Sequence, residues 1–181
     1  MTQILGISGS LRQGSFNTSL LQAAQGLQPE VIRIATIEGI PLYNADVEAA
    51  NFPPAVASLQ REIAVADGLL LVSPEYNNSV PGVTKNAIDW LSRPSGDIRN
   101  VFRDKPVGLI GASPGGFGTI LGQNAWLPVL RTLGARHWSG GRLMVSGAQR
   151  VFDAGGRLVD ADIRDRLDTY LRGFIDFCAG N

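Results

Sequence analysis

The sequence predicts an α/β fold in which a five-stranded parallel sheet is covered by helices on both faces. Short apolar segments alternate with amphipathic helical patterns along the whole chain. One apolar segment, residues 69–72, reads LLLV without a polar residue, which is typical of a parallel strand buried on both faces. The length of 181 residues suits one domain with a substantial core. Because no repeat, low-complexity segment or linker interrupts the pattern, we expect a single domain over residues 1–181.

Five strands are expected, each a short apolar segment bounded by turn residues or by a helical pattern. They cover residues 4–8, 31–35, 68–73, 106–112 and roughly 136–145. Their alternation with helices predicts a doubly wound sheet with right-handed crossovers.

Five helical patterns accompany these strands, each with apolar residues three or four positions apart. Prolines mark two helix starts, Pro53-Pro54 before the second helix and Pro81 before the third. Pro128 falls within the fourth pattern, so it must begin that helix or kink it. The apolar positions are, helix by helix, Leu20, Leu21, Ala24 and Leu27; Val56, Leu59 and Ile63; Val83, Ala87, Trp90 and Leu91; Leu127, Leu130 and Leu133; and Ile163, Leu167, Tyr170, Leu171, Phe174 and Phe177.

Composition argues against several classes of function. The chain has 16 basic and 16 acidic residues, so no net charge attracts it to nucleic acid or to an anionic membrane. It has no apolar run long enough to span a membrane, and its N-terminus lacks a basic signal region, so we expect a cytoplasmic protein. One cysteine, Cys178, and one histidine, His137, give neither an internal disulfide nor a zinc cluster.

Three loops that follow strands of the predicted sheet are rich in small polar residues. They read SGSLRQGSFN after the first strand, SPEYNNSVPG after the third and ASPGGFGT after the fourth. Ligands of doubly wound sheets bind beyond the carboxyl ends of the strands. We therefore expect these loops to converge on one binding site.

The first loop has the chemistry of a phosphate cradle. It leads into a helix, whose N-terminus offers unpaired N–H groups and a partial positive charge. Ser10, Ser15 and Asn17 add side-chain donors, and Arg12 adds a forked cation. A helix capped by Ser or Asn after a solvated loop is the alternative. Because neither GxxxxGK[ST] nor GxGxxG spacing is present, a mononucleotide is favoured over a tightly held dinucleotide.

The second loop has residues suited to a flat heterocycle. Pro74 stiffens the turn, Tyr76 offers a flat face, and Asn77 can meet a polar ring edge. Glu75 is a candidate general acid or base, with a solvated or capping carboxylate as the simpler interpretation.

The third loop has features of a ligand-binding turn and of a serine-hydrolase motif. Gly115 and Gly116 let the backbone approach a ligand closely. Residues 111–115 also match the GxSxG nucleophile elbow of serine hydrolases. We reject that reading because Pro114 has no N–H for an oxyanion hole, and no acidic residue lies between Ser113 and His137. A receiver domain is disfavoured too, since Ser8-Gly9-Ser10 stands where its metal-binding acids belong.

Taken together, GSLRQGSFN, SPEYNNSVPGVTKNAIDWLSRP and ASPGGFGT resemble the NADPH-dependent FMN reductase family. The chain is most similar to the quinone and chromate reductase branch, from the first strand to near Gly134. The resemblance implies a flavodoxin-like fold with strand order 2-1-3-4-5 and one non-covalent FMN, with the chemistry carried by the flavin. NADPH or NADH is the implied electron donor, and a quinone, free flavin, azo compound or chromate the implied acceptor.

The resemblance also assigns residues to the cofactor and implies an oligomer. Some relatives carry Leu-Arg-Gln in the fourth helix, where this chain has Trp126-Leu127-Pro128, which puts a homotetramer in more doubt than a homodimer. A flavodoxin-type electron carrier without turnover and a flavin-free interaction domain are the alternatives. By match, the phosphate loop comprises Ser10, Arg12, Ser15, Phe16 and Asn17, the isoalloxazine loop Pro74, Glu75, Tyr76 and Asn77, and the loop at the other ring edge Ser113, Gly115 and Gly116.

Overall fold

A computed structural model describes residues 1–96 and 98–180 as alternating strands and helices. The strands are β1 (Ile4–Ser8), β2 (Ile32–Ala35), β3 (Gly68–Val72), β4 (Pro106–Ala112), β5 (Arg136–His137) and β6 (Leu143–Val145). The helices are α1 (Phe16–Leu27), α2 (Ala45–Ala50), α3 (Pro54–Val65), α4 (Gly82–Leu91), α5 (Ile98–Val101), α6 (Ile120–Leu133) and α7 (Ala161–Ala179), with a 3₁₀ turn at Ala148–Arg150.

The strands form one parallel sheet in the order β2-β1-β3-β4-β5, and β6 also pairs with β4. This order confirms the flavodoxin-like prediction. β1 pairs with both β2 and β3, with Ile4 opposite Ile32 on one side and Gly68 on the other. The order reverses there, so the loop after β1 lies at the switch point where doubly wound sheets bind ligands.

The hydrophobic core lies on both faces of the sheet, as the continuous apolar strands predict. In β3, Leu70 and Val72 pack with residues of α1 and α7, whereas Leu69 and Leu71 pack with residues of α3, α4 and α6. Successive side chains of a strand point to opposite faces, so one apolar strand supplies both cores.

The fifth strand differs from the prediction. The sequence predicts one strand over residues 136–145, but the chain leaves the sheet after His137 and returns at Leu143. The Trp138 ring packs at 4.6 Å from the Tyr170 ring, edge to face. A β-carbon at Gly140 would come within 2.6 Å of Trp138, so the chain turns tightly around this indole.

The helices confirm the five predicted patterns and add two short ones, α2 and α5. Pro128 lies inside α6 and does not begin it. A proline removes the N–H that would bond to the carbonyl four residues earlier, here that of Asn124. Both Asn124 and Pro128 are exposed, so water can satisfy that carbonyl.

Candidate functional site

The three loops converge on one cavity of about 350 Å³ at the carboxyl ends of β1, β3 and β4. This volume lies in the range of roughly 300–1,000 Å³ typical of small-molecule sites. Nine of the twelve residues assigned from the sequence line it, whereas Asn77, Gly115 and Gly116 do not. The lining residues are Ser10, Arg12, Ser15, Phe16, Asn17, Pro74, Glu75, Tyr76 and Ser113, with Ala112 and Pro114 in addition.

Ser15 is the N-cap of α1, and its Oγ accepts a hydrogen bond from the Thr18 N–H at 3.4 Å. The Thr18 hydroxyl lies 2.8 Å from the Ser8 hydroxyl at the end of β1. The sequence left a capped helix and a phosphate cradle as alternatives, and the cap is present. It also leaves the first N–H groups of α1 at the cavity wall, where an anion is favoured.

Arg12 supplies the positive charge of the cavity. Its guanidinium carbon lies 5.8 Å from the centroid of the Phe16 ring, and Phe16 stacks on Phe152 with centroids 5.9 Å apart. No carboxylate lies within ion-pair distance of Arg12 in residues 1–96 and 98–180. A cation beside a helix N-terminus fits the phosphate of a mononucleotide.

Asn17 has a different role from the simple donor expected. Its Nδ2 donates to the Ala112 carbonyl and its Oδ1 accepts from the Ala112 N–H, both at 2.9 Å. The side chain is 4% exposed. Asn17 therefore ties the start of α1 to the end of β4, and holds the first and third loops together.

Glu75 caps the helix that follows the third loop. Its Oε2 accepts a hydrogen bond from the Gly122 N–H at 2.7 Å, in the first turn of α6. Thr119 at the N-cap position makes no side-chain cap bond, and the first turn contains no acidic residue. The capping interpretation of Glu75 is confirmed, because its carboxylate accepts a hydrogen bond from an unpaired N–H group in the first turn of α6. An N-cap side chain usually makes this bond.

The second loop turns sharply beyond Tyr76. Tyr76 and Ser79 exchange backbone hydrogen bonds, and Asn77 and Asn78 between them adopt positive φ values of 51° and 60°. Asparagine tolerates this left-handed region better than most residues. Asn77 therefore shapes the turn, while the Tyr76 side chain stays 51% exposed at the cavity.

Buried contacts fix the first and second loops against each other. A β-carbon at Gly9 would lie 2.7 Å from Thr84 Oγ1 and 3.0 Å from Pro74 Cδ. The Thr84 hydroxyl donates to the Gly9 carbonyl at 2.9 Å. At Ser73, the residue before Pro74, the hydroxyl accepts a hydrogen bond from the Trp126 indole N–H at 2.9 Å, which ties the second loop to α6.

The third loop is held by a segment that the sequence did not indicate. The Ser113 N–H donates to the Val145 carbonyl, the Ala148 N–H to the Ser113 carbonyl and the Gly147 N–H to the Gly115 carbonyl. Gly147 has a φ of 58°, a conformation that favours glycine. This glycine is the sequence feature that could have indicated a turn here. Gly115 and Gly116 lie exposed next to the cavity lining.

The hydrolase alternative has no geometric support. The Ser113 hydroxyl accepts a hydrogen bond from the Gly115 N–H at 3.1 Å. His137 lines a different cavity, with Leu109 and Met144, and partial burial there lowers the pKa of its imidazole. Cys178 does not line the cavity formed by the three loops either. Burial raises the pKa of its thiol to about 12, as expected for a residue of the hydrophobic core.

Metal-ligand groups and membrane-spanning helices were also sought in the described part of the chain. Among the described residues, no group of three or more His, Cys, Asp or Glu side chains is placed to hold a metal ion. None of the helices in this part of the chain combines the length and the apolar character needed to cross a bilayer. The cavity offers an anion site at the start of α1 and an aromatic face at Tyr76, which together fit a phosphorylated flat heterocycle such as FMN.

Comparison with known proteins places the chain in a family. The sequence model of the family described as NADPH-dependent FMN reductase matches residues 2–150. An NAD(P)H-dependent FMN reductase of Pseudomonas aeruginosa is 47% identical over 172 residues, which cover 94% of this chain and 91% of that protein. A 2-hydroxy-1,4-benzoquinone reductase of a Burkholderia species is 37% identical over 171 residues, which cover 93% of this chain and 92% of that protein.

A solved structure gives the same result in three dimensions. FerB, a flavoenzyme NAD(P)H:(acceptor) oxidoreductase from Paracoccus denitrificans, superposes with a TM-score of 0.89 at 31% identity, over 99% of this chain and 98% of that one. The agreement of motifs, fold and comparisons leads to one conclusion: this chain belongs to the NADPH-dependent FMN reductase family.

Proposed function

We propose that this protein uses a non-covalent FMN to pass two electrons from NADPH or NADH to a small-molecule acceptor in a ping-pong sequence. The observation that carries the proposal is that all three loops line one cavity. The quinone reductase among its relatives favours quinones as acceptors. Free flavins, azo compounds and chromate are further candidates, because an open stacking site discriminates weakly among flat or small oxidants.

Each loop has a proposed role at the cofactor. Ser10, Arg12, Ser15 and the first N–H groups of α1 would hold the phosphate, since charged hydrogen bonds contribute about 1.5–3 kcal/mol each. Phe16 supports Arg12 through its ring face. Asn17 acts on this site through its bonds to Ala112.

The other two loops would flank the ring system. Pro74, Glu75 and Tyr76 would form one wall, in which Tyr76 provides aromatic surface. Asn77 would act through the turn that follows Tyr76. Ser113 would lie at the other ring edge, and the exposed backbone of Gly115 and Gly116 next to the cavity would let a ligand approach closely.

The chemistry requires no protein nucleophile. Bound FMN supplies hydride acceptance from a nicotinamide and two-electron donation to the acceptor, which would occupy the same face in turn. The chain's residues would bind the phosphate, fix the ring plane and offer backbone N–H groups near developing negative charge.

The decisive experiment combines a spectrum with turnover. We expect the purified protein to take up FMN, to show flavin absorbance, and to oxidise NADPH continuously with benzoquinone. Flavin binding without steady turnover would favour the alternative of an electron carrier, and no flavin binding would favour a flavin-free interaction domain. Either result contradicts the proposal.

The phosphate assignment has its own test. The double variant Arg12→Ala/Ser15→Ala should weaken FMN affinity at least about 100-fold, since two charge-assisted contacts are removed. Gln13→Ala, an exposed change in the same loop that does not line the cavity, should bind FMN like the wild type. Unchanged affinity in the double variant would refute the cradle.

We also propose a homodimer in the cytoplasm. The absence of the Leu-Arg-Gln sequence at Trp126-Leu127-Pro128 favours a dimer over a tetramer. Light scattering coupled to size-exclusion chromatography measures the mass directly, and a mass other than twice 19.3 kDa would contradict this assembly.

A further inference from the structure

Among the residues that the structure describes, Glu75 is the only acidic one that lines the cavity formed by the three loops. Its carboxylate is half-buried, and its position is fixed by the 2.7 Å hydrogen bond from the Gly122 N–H. The Glu75 side chain also packs closely against the Gly122 backbone, because a β-carbon at Gly122 would lie 3.1 Å from Glu75 Cβ. The structure therefore holds a negative charge at one place in the cavity wall.

The carboxylate also opposes the field of α6. A helix N-terminus carries about half a positive charge, and α6 begins at Ile120, directly after the third loop. Without Glu75, that partial positive charge would act on the cavity unopposed. With Glu75, the local sum is about half a negative charge.

We propose that Glu75 is a positioning residue that also lowers the reduction potential of FMN in this cavity. The proposal rests on the proposed function. Two-electron reduction of FMN adds negative charge to the ring system, and a carboxylate in the wall of the same cavity disfavours that charge. The oxidised form carries no such charge on the ring and is affected less. Glu75 thus makes the reduced cofactor a stronger donor to the acceptor.

The variant Glu75→Gln separates charge from capping. The glutamine side-chain carbonyl can still accept the hydrogen bond from Gly122, so α6 stays capped while the charge is gone. We expect the ratio of FMN dissociation constants, oxidised over reduced, to rise about tenfold. For a two-electron couple this corresponds to a midpoint potential about 30 mV higher.

The measurement is a redox titration against a reference dye at fixed pH, together with calorimetric binding of oxidised FMN. Glu62→Gln is the matched control, because Glu62 is a partly exposed carboxylate on α3 that does not line the cavity. Its midpoint should equal that of the wild type. Glu75→Ala removes both cap and charge, so it should raise the midpoint and also lower the melting temperature.

Several outcomes would overturn the proposal. An unchanged or lower midpoint in Glu75→Gln means that the carboxylate acts on α6 alone. An equal rise in Glu62→Gln means that the effect is not local. If the wild-type protein fails to bind FMN, the proposed function fails first, and that result is visible before any variant is compared.

Discussion

The side chain of Asn17 and the backbone of Ala112 exchange two hydrogen bonds of 2.9 Å across 95 positions of sequence. Both groups are buried, so no solvent replaces a lost partner. This pair fixes the phosphate loop to the end of β4. It makes the position of the first helix depend on β4.

We expect Asn17→Ala to lower the free energy of unfolding by about 2–4 kcal/mol, because a buried donor and a buried acceptor lose their partner. Urea denaturation measures the change. Gln13→Ala, in the same loop but exposed, should change stability by less than about 0.5 kcal/mol. A loss no larger than that of the control would mean that the Ala112 backbone finds other partners.

A side chain at Gly111 should destabilise the protein. A β-carbon there would lie 2.3 Å from the Ser73 carbonyl oxygen and 2.4 Å from Thr119 Oγ1. Gly111→Ala should therefore cost about 1–3 kcal/mol of stability from overpacking, measured by thermal or urea unfolding. A stability equal to that of the wild type would show that β4 shifts freely.

Gly116→Ala is the control for Gly111 and a test of the site. Nothing lies within 4 Å of a β-carbon at Gly116, so stability should be nearly unchanged. If the flavin ring approaches this backbone as proposed, the same variant should bind FMN more weakly. Unaltered FMN affinity would remove Gly116 from the proposed ring edge.

Replacing Pro128 should stabilise the protein. Pro128→Ala restores an N–H that can bond to the Asn124 carbonyl inside α6, and a proline in a helix interior costs up to about 3 kcal/mol. We expect a higher melting temperature. Pro54→Ala should give no comparable gain, because Pro54 occupies the first position of α3, where the N–H has no helical partner. Equal gains in both variants would contradict this explanation.

His137 should titrate below its ordinary pKa of 6.5, because burial disfavours the charged imidazolium. Since the chain has one histidine, proton NMR follows it without assignment. A lowered folded pKa means that its contribution to stability is complete above pH 6.5 and is lost as pH falls through the folded pKa. His137→Gln should flatten that dependence, and a measured pKa at or above 6.5 would contradict the burial argument.

The helices and the loops of the cavity could be predicted because they follow from strong local signals, whereas the strand order was implied by the resemblance to the family. Apolar runs, turn residues and prolines identify elements. The rule that parallel strands direct ligands to their carboxyl ends brought distant loops together. The strand predicted over residues 136–145 was wrong, since the break depends on how Trp138 packs against Tyr170.

The partners of individual polar side chains could not be predicted from the sequence. Asn17 was expected to donate to a ligand, yet it bonds to Ala112, which is distant in the chain. Glu75 was assigned to the second loop, but its hydrogen-bond partner is Gly122 on the helix after the third. Such contacts follow from tertiary proximity, and no local pattern encodes them.

The break between β5 and β6 also affects association between molecules. The outer side of β4 is covered by pieces of two and three residues, and the Tyr170 hydroxyl donates to the Leu109 carbonyl between them at 3.0 Å. Very short edge strands are poor templates for an extended chain. This edge of the sheet is therefore a poor site for the addition of a strand from a second molecule.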